Sequence, residues 1–284
     1  MRPRLAIPAS ILAVLLLAVP AIAGTVTAPD GVVIHYTDQG QGSPALVFVH
    51  GWSCDATYWD AQVAHFAAKH RVVVIDLAGH GASGQERKAY TMEAFGADVA
   101  AVLAQLDLKD TVLVGHSMGG AVIVEAALAA PDRVLGLVGV DNFQDVGMKL
   151  PPEAIDGFVS TFEADFTPRV RAWVGHFFPA GADSALAAGI AADMASAPPA
   201  VGLSAMRELL HWFGDRTTER LAQLKVPMMC INADAQPTKV EPIKALVPGF
   251  QLRVMAGRGH FVMREDPDGF NRLLGETVGA LMAP

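Results

Sequence analysis

The sequence is poor in cysteine, in clustered positive charge and in long apolar runs. Its 284 residues include only two cysteines, too few for a disulfide framework or a cysteine-rich metal site. Acidic residues outnumber basic ones by 29 to 21, and no Lys/Arg run is longer than two, which argues against nucleic acid as a partner. Metalloprotease and P-loop motifs are absent as well, so no metal or nucleotide cofactor is required.

The exception to the shortage of long apolar runs is at the N-terminus. Arg2 and Arg4 precede the apolar stretch 5–19, and small residues follow at 21–23, the three-part pattern of a secretory signal. About 15 apolar residues fall short of the roughly 20 that a membrane-spanning helix needs. We therefore expect cleavage after residue 23, a secreted or periplasmic protein beginning at Gly24, and no stable membrane insertion. An uncleaved membrane anchor is the alternative, and N-terminal sequencing of the exported protein distinguishes the two.

The rest of the chain alternates short apolar runs with longer helical patterns. The runs 45–50 and 71–76 are continuously apolar apart from their ends, as is typical of strands buried on both faces. The predicted strands are 32–37, 45–50, 71–76, 111–115, 134–140, 228–232 and 252–255, and the clearest predicted helices are 57–70, 91–106, 118–130 and 267–281. This alternation predicts an α/β fold with a mostly parallel, doubly wound sheet.

One segment breaks the alternation. Residues 145–222 contain no convincing strand pattern but are rich in aromatic residues, so we predict a helical cap inserted into a single domain covering 24–284. The aromatic residues of this segment are Phe158, Phe162, Phe166, Trp173, Phe177, Phe178, Trp212 and Phe213. Most of these rings are expected to form the core of the cap, and some of them, with Phe261, are expected to line an apolar pocket.

The most informative motif is Gly115-His116-Ser117-Met118-Gly119, which follows an apolar strand and precedes a helix. A Gly-x-Ser-x-Gly sequence between a strand and a helix predicts a nucleophile elbow, in which a strained turn presents the serine hydroxyl. A Cβ atom at Gly115 or Gly119 would collide with neighbouring backbone. The positive end of the following helix favours an anion at the turn.

Together with three other motifs, this stretch resembles the α/β-hydrolase superfamily, and the resemblance covers nearly all of residues 24–284. The other motifs are His50-Gly51-Trp52, Asp76-Leu77-Ala78-Gly79-His80-Gly81 and Gly257-Arg258-Gly259-His260-Phe261. Their order and spacing are similar to those of the esterase, haloperoxidase-like and C–C hydrolase branch. The resemblance implies a helical cap between the sixth and seventh strands.

The resemblance implies a role for each site residue. Ser117 is the expected nucleophile and His260, after the last strand, is its expected base, since a serine hydroxyl is weakly nucleophilic until a base takes its proton. The backbone N–H groups of Trp52 and Met118 are expected to form the oxyanion hole. His50 and His80 are expected to be structural, and the side chain of His116 is expected to point away from Ser117.

The acid partner of His260 has two candidates. Asp234 follows the seventh predicted strand, where the family most often places its acid, but lies about two residues early. Asp141 ends the sixth strand, where some relatives carry theirs. We place Asp234 slightly ahead, and expect the true acid to orient His260 and stabilise its charged form.

Two other features of the sequence are expected to form neither a cofactor site nor a disulfide. The stretch 79–84 fits the G-x-G-x-x-G dinucleotide fingerprint, but a polar loop follows it where the fingerprint needs a helix. Cys54 falls just after one predicted strand and Cys230 falls inside a later one, and in the expected fold two strands separate these, or about 14 Å. A disulfide needs roughly 4.4–6.8 Å between Cα atoms, so both thiols are expected to be free and buried.

The expected activity is hydrolysis of a small-molecule ester or related acyl substrate by a Ser-His-Asp triad, with no cofactor. C–C bond hydrolysis, lactone hydrolysis and cofactor-free haloperoxidase chemistry on the same site remain open. A non-catalytic binding protein with this fold is the alternative of a different class, and the sequence carries no signal for an oligomeric state.

Overall fold

Eight strands form a single sheet in the computed structural model, which describes residues 21–283 of the chain. The expected signal segment therefore lies, up to residue 20, outside the described residues. The strands are β1 (Ile22–Thr27), β2 (Val33–Gln39), β3 (Ala45–Val49), β4 (Val72–Ile75), β5 (Thr111–His116), β6 (Val134–Val140), β7 (Met228–Ala233) and β8 (Gln251–Met255). Their order in the sheet is β1-β2-β4-β3-β5-β6-β7-β8. The first two pairings, β1 with β2 and β2 with β4, are antiparallel, and all later pairings are parallel, which confirms the predicted fold class.

Eleven α-helices accompany this sheet in the described residues. They are α1 (Asp60–Phe66), α2 (Met92–Gln105), α3 (Met118–Ala129), α4 (Pro152–Glu163), α5 (Phe166–Gly175), α6 (Ser184–Met194), α7 (Pro199–His211), α8 (Thr217–Gln223), α9 (Val240–Leu246), α10 (Val262–Glu265) and α11 (Pro267–Leu281). Every residue of β3, β4, β5 and β7 is buried, as expected for parallel strands covered by helices on both faces.

Strand β1 is an addition to the predicted strands, and its first two residues overlap the end of the expected signal. It is an edge strand that pairs with β2 from Ile22↔Asp38 to Thr27↔Val33. Cleavage after Ala23 would remove its first two residues and leave Gly24–Thr27 paired.

The helix predicted over 57–70 is shorter and begins differently. The Asp55 side chain accepts a hydrogen bond from the Thr57 N–H at 2.9 Å and starts a 3₁₀ turn, Ala56–Trp59, before α1. Capping by a short polar side chain satisfies a backbone donor that the first turn leaves free. The apolar spacing that predicted one helix is therefore divided between two helical forms.

The cap helices α4–α8 and a π-helical turn, Trp212–Arg216, lie between β6 and β7. The buried Trp212 Nε1–H donates to Glu125 on α3 at 2.7 Å, which attaches the end of the cap to the helix that follows β5. Among the described residues no single helix is both long and apolar enough to cross a membrane, although the bent pair formed by α6 and Pro199–Gln223 satisfies those two criteria. Cys54 and Cys230 are free and buried, as predicted.

Candidate active site

Ser117 stands at a strained turn between β5 and α3. Its backbone has φ +52° and ψ −116°, a combination that a residue with a side chain rarely adopts and that costs of order 1–3 kcal/mol. The turn is held by the Ser117 N–H, which donates to the Val140 carbonyl at 3.0 Å, and by the Gly120 N–H, which donates to the Ser117 carbonyl at 2.9 Å. The surrounding backbone therefore fixes the serine in a geometry that lifts its side chain off the end of the sheet.

Two glycines make room for this turn. A Cβ atom on Gly119 would lie 2.6 Å from the Val49 carbonyl and 2.7 Å from the His50 carbonyl, and one on Gly115 would meet the Gly119 carbonyl. Each of these atoms is backbone and cannot move aside as a flexible side chain could. The glycines of the motif are thus required by the close approach of β3, β5 and the first turn of α3.

His260 lies in the loop between β8 and α10, and the loop is fixed on both sides of it. The Glu265 carboxylate accepts hydrogen bonds from the Gly259 N–H at 2.9 Å and the Phe261 N–H at 3.1 Å. The His260 N–H itself donates to the Phe177 carbonyl of the cap at 2.9 Å. The imidazole is therefore placed by a backbone that has little freedom to shift.

Asp141, at the end of β6, holds the imidazole of His260. Its Oδ2 accepts from His260 Nδ1 at 2.6 Å, and its Oδ1 accepts from the Ala233 N–H at 2.9 Å. The side chain of Asp141 is 9% exposed, so this charge-assisted hydrogen bond is shielded from water. Because a carboxylate only accepts, the proton of neutral His260 resides on Nδ1 and leaves Nε2 free to act as a base.

The structure corrects the order in which the two acid candidates were ranked. Asp234 is exposed and its Oδ1 accepts from the Gly257 N–H at 2.9 Å, so this side chain is directed at the backbone after β8 and not at the imidazole. Asp141 adopts φ +46°, a conformation that turns the chain sharply at the end of β6. This turn brings its carboxylate to His260, and the sequence does not display it.

Ser117 and His260 line the same cavity. Its volume is about 130 Å³, and most of its surface is apolar. The lining residues are Trp52, Cys54, His116, Ser117, Phe158, Trp173, Phe177, Met194, Met206, Leu209, Leu210, His260 and Phe261. Within the described residues the Ser117 hydroxyl makes no hydrogen bond, and hydrogen bonds between a nucleophile and its base are often loose before substrate binds. We call this space the active-site cavity.

Aromatic rings from the cap form much of this cavity. Trp173 lies 5.6 Å from the Trp52 ring and 4.7 Å from the Phe177 ring, and Phe177 lies 4.9 Å from the His260 imidazole. Of the predicted cap aromatics, Phe158, Trp173 and Phe177 reach the cavity, and Phe261 does as well. The remaining rings do not line the cavity. Phe162 packs on other cap rings, whereas Phe178 stacks on Phe261 and both Trp212 and Phe213 contact Phe143.

The two predicted oxyanion donors are buried and free to bind. Trp52 and Met118 are 4% and 0% exposed, and in residues 21–283 neither backbone N–H donates to another protein group. Met118 begins α3, where the helix leaves its first N–H groups without partners. The Trp52 Nε1–H donates to the Gly202 carbonyl on α7 at 2.7 Å, which fastens this loop to the cap.

Two buried histidines, His50 and His116, lie near the site, and each has a structural hydrogen bond. His50 Nδ1–H donates to the Gly51 carbonyl at 2.8 Å, while its Nε2 accepts from the Leu77 N–H at 3.0 Å. His116 Nε2–H donates to the His260 carbonyl at 2.9 Å. Burial is the main reason that the pKa values of His50 and His116 lie below the ordinary value. These imidazoles therefore stay neutral beside His260.

His80 gives a prediction for the dependence of stability on pH. Burial lowers its pKa from 6.5 to about 3, so below pH 6.5 the unfolded chain binds a proton that the folded chain does not. Stability from this group is present above pH 6.5 and falls as the pH drops, by about 1.4 kcal/mol for each pH unit. In urea unfolding at pH 7, 6 and 5, the free energy of unfolding should fall less steeply with pH in His80→Asn than in the wild type. The exposed His65→Asn variant should keep the wild-type dependence, and an unchanged slope in His80→Asn would contradict the assignment.

Sequence reasoning missed two asparagines that align the strand ends below the site. Asn142 Nδ2–H donates to the Gly115 carbonyl at 2.9 Å, and Asn232 Nδ2–H donates to the Asn142 carbonyl at 2.8 Å. These bonds link the ends of β5, β6 and β7. The available signal was a polar residue at the end of each apolar strand, which by itself does not distinguish positioning from exposure.

The glycine-rich stretch 79–84 folds onto its own neighbours. The Gly79 N–H donates to the Gly84 carbonyl, and the Gly84 N–H donates to the Val33 carbonyl, both at 2.8 Å. The Asp76 carboxylate accepts a hydrogen bond from the Ala82 N–H at 3.0 Å. These amides are not available to a pyrophosphate, in agreement with the interpretation that the match to the dinucleotide fingerprint is coincidental.

The comparisons with known proteins point to one family. A model described as the alpha/beta hydrolase family matches residues 46–273. A non-heme chloroperoxidase of Streptomyces lividans is 39% identical over 153 residues, which are 50% of this chain and 55% of that protein. The chain spans about half the length of the curated relatives it matches first.

Solved structures cover more of the chain. Est816, described as an N-acyl homoserine lactone degrading enzyme, superposes with a TM-score of 0.76 at 26% identity and covers 89% of this chain and 99% of its own. An esterase from Exiguobacterium antarcticum has a TM-score of 0.80 over 91% of this chain and 100% of its own, at 19% identity. The latter likeness shows the fold alone.

Proposed function

The chain belongs to the alpha/beta hydrolase family, and from this premise we propose that it is a serine hydrolase that cleaves a small carboxylic ester through an acyl-enzyme. The observation that carries the proposal is the hydrogen bond of 2.6 Å between Asp141 and His260, at a cavity that Ser117 also lines. Nucleophile, base and acid come from three separate parts of the chain. Two of them line one cavity and the third is hydrogen-bonded to the base, an arrangement that favours an enzyme over a binding protein with this fold.

In the proposed reaction, His260 Nε2 takes the proton of the Ser117 hydroxyl as the oxygen attacks the ester carbonyl. Asp141 keeps the proton of neutral His260 on Nδ1 and stabilises the imidazolium that forms. The imidazolium then protonates the leaving alcohol, and the acyl group stays on Ser117. Water, deprotonated by the same imidazole, attacks the acyl-enzyme and releases the acid, which restores the free hydroxyl.

The unpaired amides of Trp52 and Met118 would hold the negative oxygen that develops during both steps. Donors already fixed by the fold need no reorganisation when the charge appears, and one such donor contributes about 3 kcal/mol to the transition state. The N-terminal end of α3 adds its partial positive charge at the same place.

The size and lining of the active-site cavity support a short, apolar acyl group. A volume of about 130 Å³ is well below the roughly 300–1,000 Å³ of pockets that take drug-sized ligands. The aromatic and aliphatic lining offers few hydrogen-bond partners to the acyl portion. A short aliphatic acyl chain satisfies both conditions.

Haloperoxidase-type chemistry on the same residues is the second candidate. It is favoured by the 39% identity to a non-heme chloroperoxidase. Hydrogen peroxide would replace water as the nucleophile that attacks the acyl-enzyme, which would give a peracid able to oxidise halide. The proposed site needs no other group for that exchange.

A panel of p-nitrophenyl esters from acetate to octanoate tests the proposed function. We expect saturable hydrolysis with a preference for the short acyl chains, and an acetyl adduct in the intact mass of protein quenched early in the reaction. A second assay adds hydrogen peroxide and bromide, with a chromogenic halogen acceptor. Halogenation of the acceptor would support the second candidate. Folded protein that turns over none of the esters would contradict the first proposal.

We also propose that this activity is exerted outside the cytoplasm. The support is the secretory pattern of residues 1–23. An exported form that begins at Gly24 is the expected product, whereas Met1 at the start of the exported form would contradict the cleavage.

A further inference from the structure

A second cavity lies beside the active-site cavity, and the two are lined by opposite kinds of residue. This side cavity has a volume of about 230 Å³, and its lining includes Ser53, Asp55, His80, Gln85 and Asp193. The active-site cavity is bounded mainly by aromatic and aliphatic side chains. An apolar compartment and a polar compartment with two carboxylates are therefore neighbours.

Cys54 belongs to the wall between them. In the described part of the chain it is the one residue that lines both cavities. Its side chain is 3% exposed, and its thiol donates to the Trp52 carbonyl at 3.4 Å. On α6, Met194 lines the active-site cavity while its neighbour Asp193 lines the side cavity, so the same division continues into the cap.

A second hydrogen bond keeps this wall in place. The Tyr58 hydroxyl donates to Asp193 Oδ2 at 2.8 Å, which ties the turn after Cys54 to the end of α6. The bond leaves Oδ1 of Asp193 without a side-chain partner among residues 21–283. A charged group placed in the side cavity would therefore find at least one carboxylate oxygen still able to accept.

Several side chains that line the side cavity can accept a hydrogen bond. His80 Nδ1–H donates to the Ala78 carbonyl at 2.9 Å, which makes Nε2 an acceptor, and both this atom and Ser53 Oγ are buried without a partner in the described residues. With the carboxylates of Asp55 and Asp193, these atoms suit a cationic donor such as an ammonium group. A plain alkyl chain would gain little there, because it would desolvate polar groups without pairing them.

We propose that Cys54 is a specificity-determining residue, whose side chain closes the active-site cavity against the side cavity and so limits substrates to short acyl chains. The proposal rests on the proposed ester hydrolysis. Removing the thiol would join the compartments, so that a long chain ending in an ammonium group could lie in the apolar cavity and reach Asp193. A larger side chain at position 54 would shorten the cavity further.

The test compares p-nitrophenyl acetate, butyrate and ω-aminohexanoate in the wild type, Cys54→Ala and Cys54→Leu. In Cys54→Ala we expect kcat/KM for the aminohexanoate, relative to the acetate, to rise by at least about tenfold, the size of effect that added or lost cavity contacts produce. Adding Asp193→Asn to Cys54→Ala should remove most of that gain. In Cys54→Leu we expect kcat/KM for the butyrate to fall relative to kcat/KM for the acetate.

The controls separate this inference from the proposed function. Cys230→Ala removes a buried thiol that lines neither cavity and should leave the ester ratios unchanged. If the wild type cleaves acetate but neither Cys54 variant shifts the ratios by more than about twofold while keeping its Tm, the inference is wrong. If no ester is cleaved at all, the proposed function is wrong. The binding of hexylamine, measured as a shift in Tm, then tests whether Cys54 separates the two cavities. Hexylamine should raise the Tm of Cys54→Ala more than that of the wild type, and equal shifts would overturn the inference.

Discussion

Alanine at position 117 is expected to lower kcat for p-nitrophenyl acetate by roughly six orders of magnitude, as loss of the nucleophile does in a serine hydrolase that works through a triad. The reason is that, within the described residues, no other serine, threonine or tyrosine lines the active-site cavity, so no second hydroxyl is placed to form the acyl-enzyme. The fold should survive, since Ser117 contributes a backbone bond to Val140 that alanine retains. Steady-state kinetics, with the intact mass as a check for an acetyl adduct, measure the effect.

A matched control for this variant is Ser184→Ala. Ser184 is an exposed serine at the start of α6, outside the active-site cavity. Its replacement should leave kcat and KM near their wild-type values. A Ser117→Ala protein that still forms an acetyl adduct would show that another residue is the nucleophile, and the proposed mechanism would fail with it.

Asparagine at position 141 is expected to lower kcat by about four orders of magnitude. Asparagine offers its NH₂ or its neutral carbonyl where the carboxylate now accepts from His260 Nδ1, so the imidazole loses the partner that fixes its tautomer and stabilises its charge. The variant is a mild one for the fold, because asparagine tolerates the positive φ of this position better than most residues. The measurement is kcat on the ester that the wild type prefers.

The companion variant is Asp234→Asn, since Asp234 was the other candidate acid. Among residues 21–283 its carboxylate accepts only from the exposed Gly257 N–H, and an asparagine carbonyl can accept the same bond. We expect kcat within about twofold of the wild type, in line with the small effects of substitutions at exposed positions. Large losses in Asp234→Asn with small losses in Asp141→Asn would reverse the assignment and show that the acid partner changes when substrate binds.

The parts of the site that local sequence determines could be predicted. The elbow is a contiguous motif, so its strand, turn and helix follow from the residues 111–130 alone, and the need for Gly119 follows from the closeness of the backbone there. The two amides proposed as oxyanion donors are also local in sequence, because one follows the end of β3 and the other follows the turn at Ser117. These expectations depend on chain neighbours and not on the arrangement of distant segments.

The acid partner could not be settled in the same way, because it depends on contacts between strand ends far apart in sequence. Asp141 and Asp234 both follow strands that end near His260, and β7 lies between β6 and β8 in the sheet. The choice is made by backbone torsion: Asp141 takes φ +46° and turns toward the imidazole, while Asp234 caps the turn at Gly257. The torsion of Asp141 cannot be inferred from the residue types.

The wall of the active-site cavity was also beyond sequence reasoning. Apolar periodicity identifies the buried face of α4, which carries Ile155, Val159 and Phe162. The ring of this helix that lines the cavity is instead Phe158, which is 37% exposed. Cys54 was correctly expected to be a buried thiol, yet its place between two cavities requires the packing of the cap on the loop after β3. Packing between segments about 140 residues apart is set by the whole fold.

Labelling with a fluorophosphonate is the most direct test of the central claim, that His260 activates Ser117. The folded wild type is predicted to take up one equivalent, which peptide mapping should place on Ser117, and the rate should drop steeply in His260→Gln, which keeps a polar side chain of similar size. No adduct on folded protein, an adduct on another residue, or an unchanged rate in His260→Gln would contradict it.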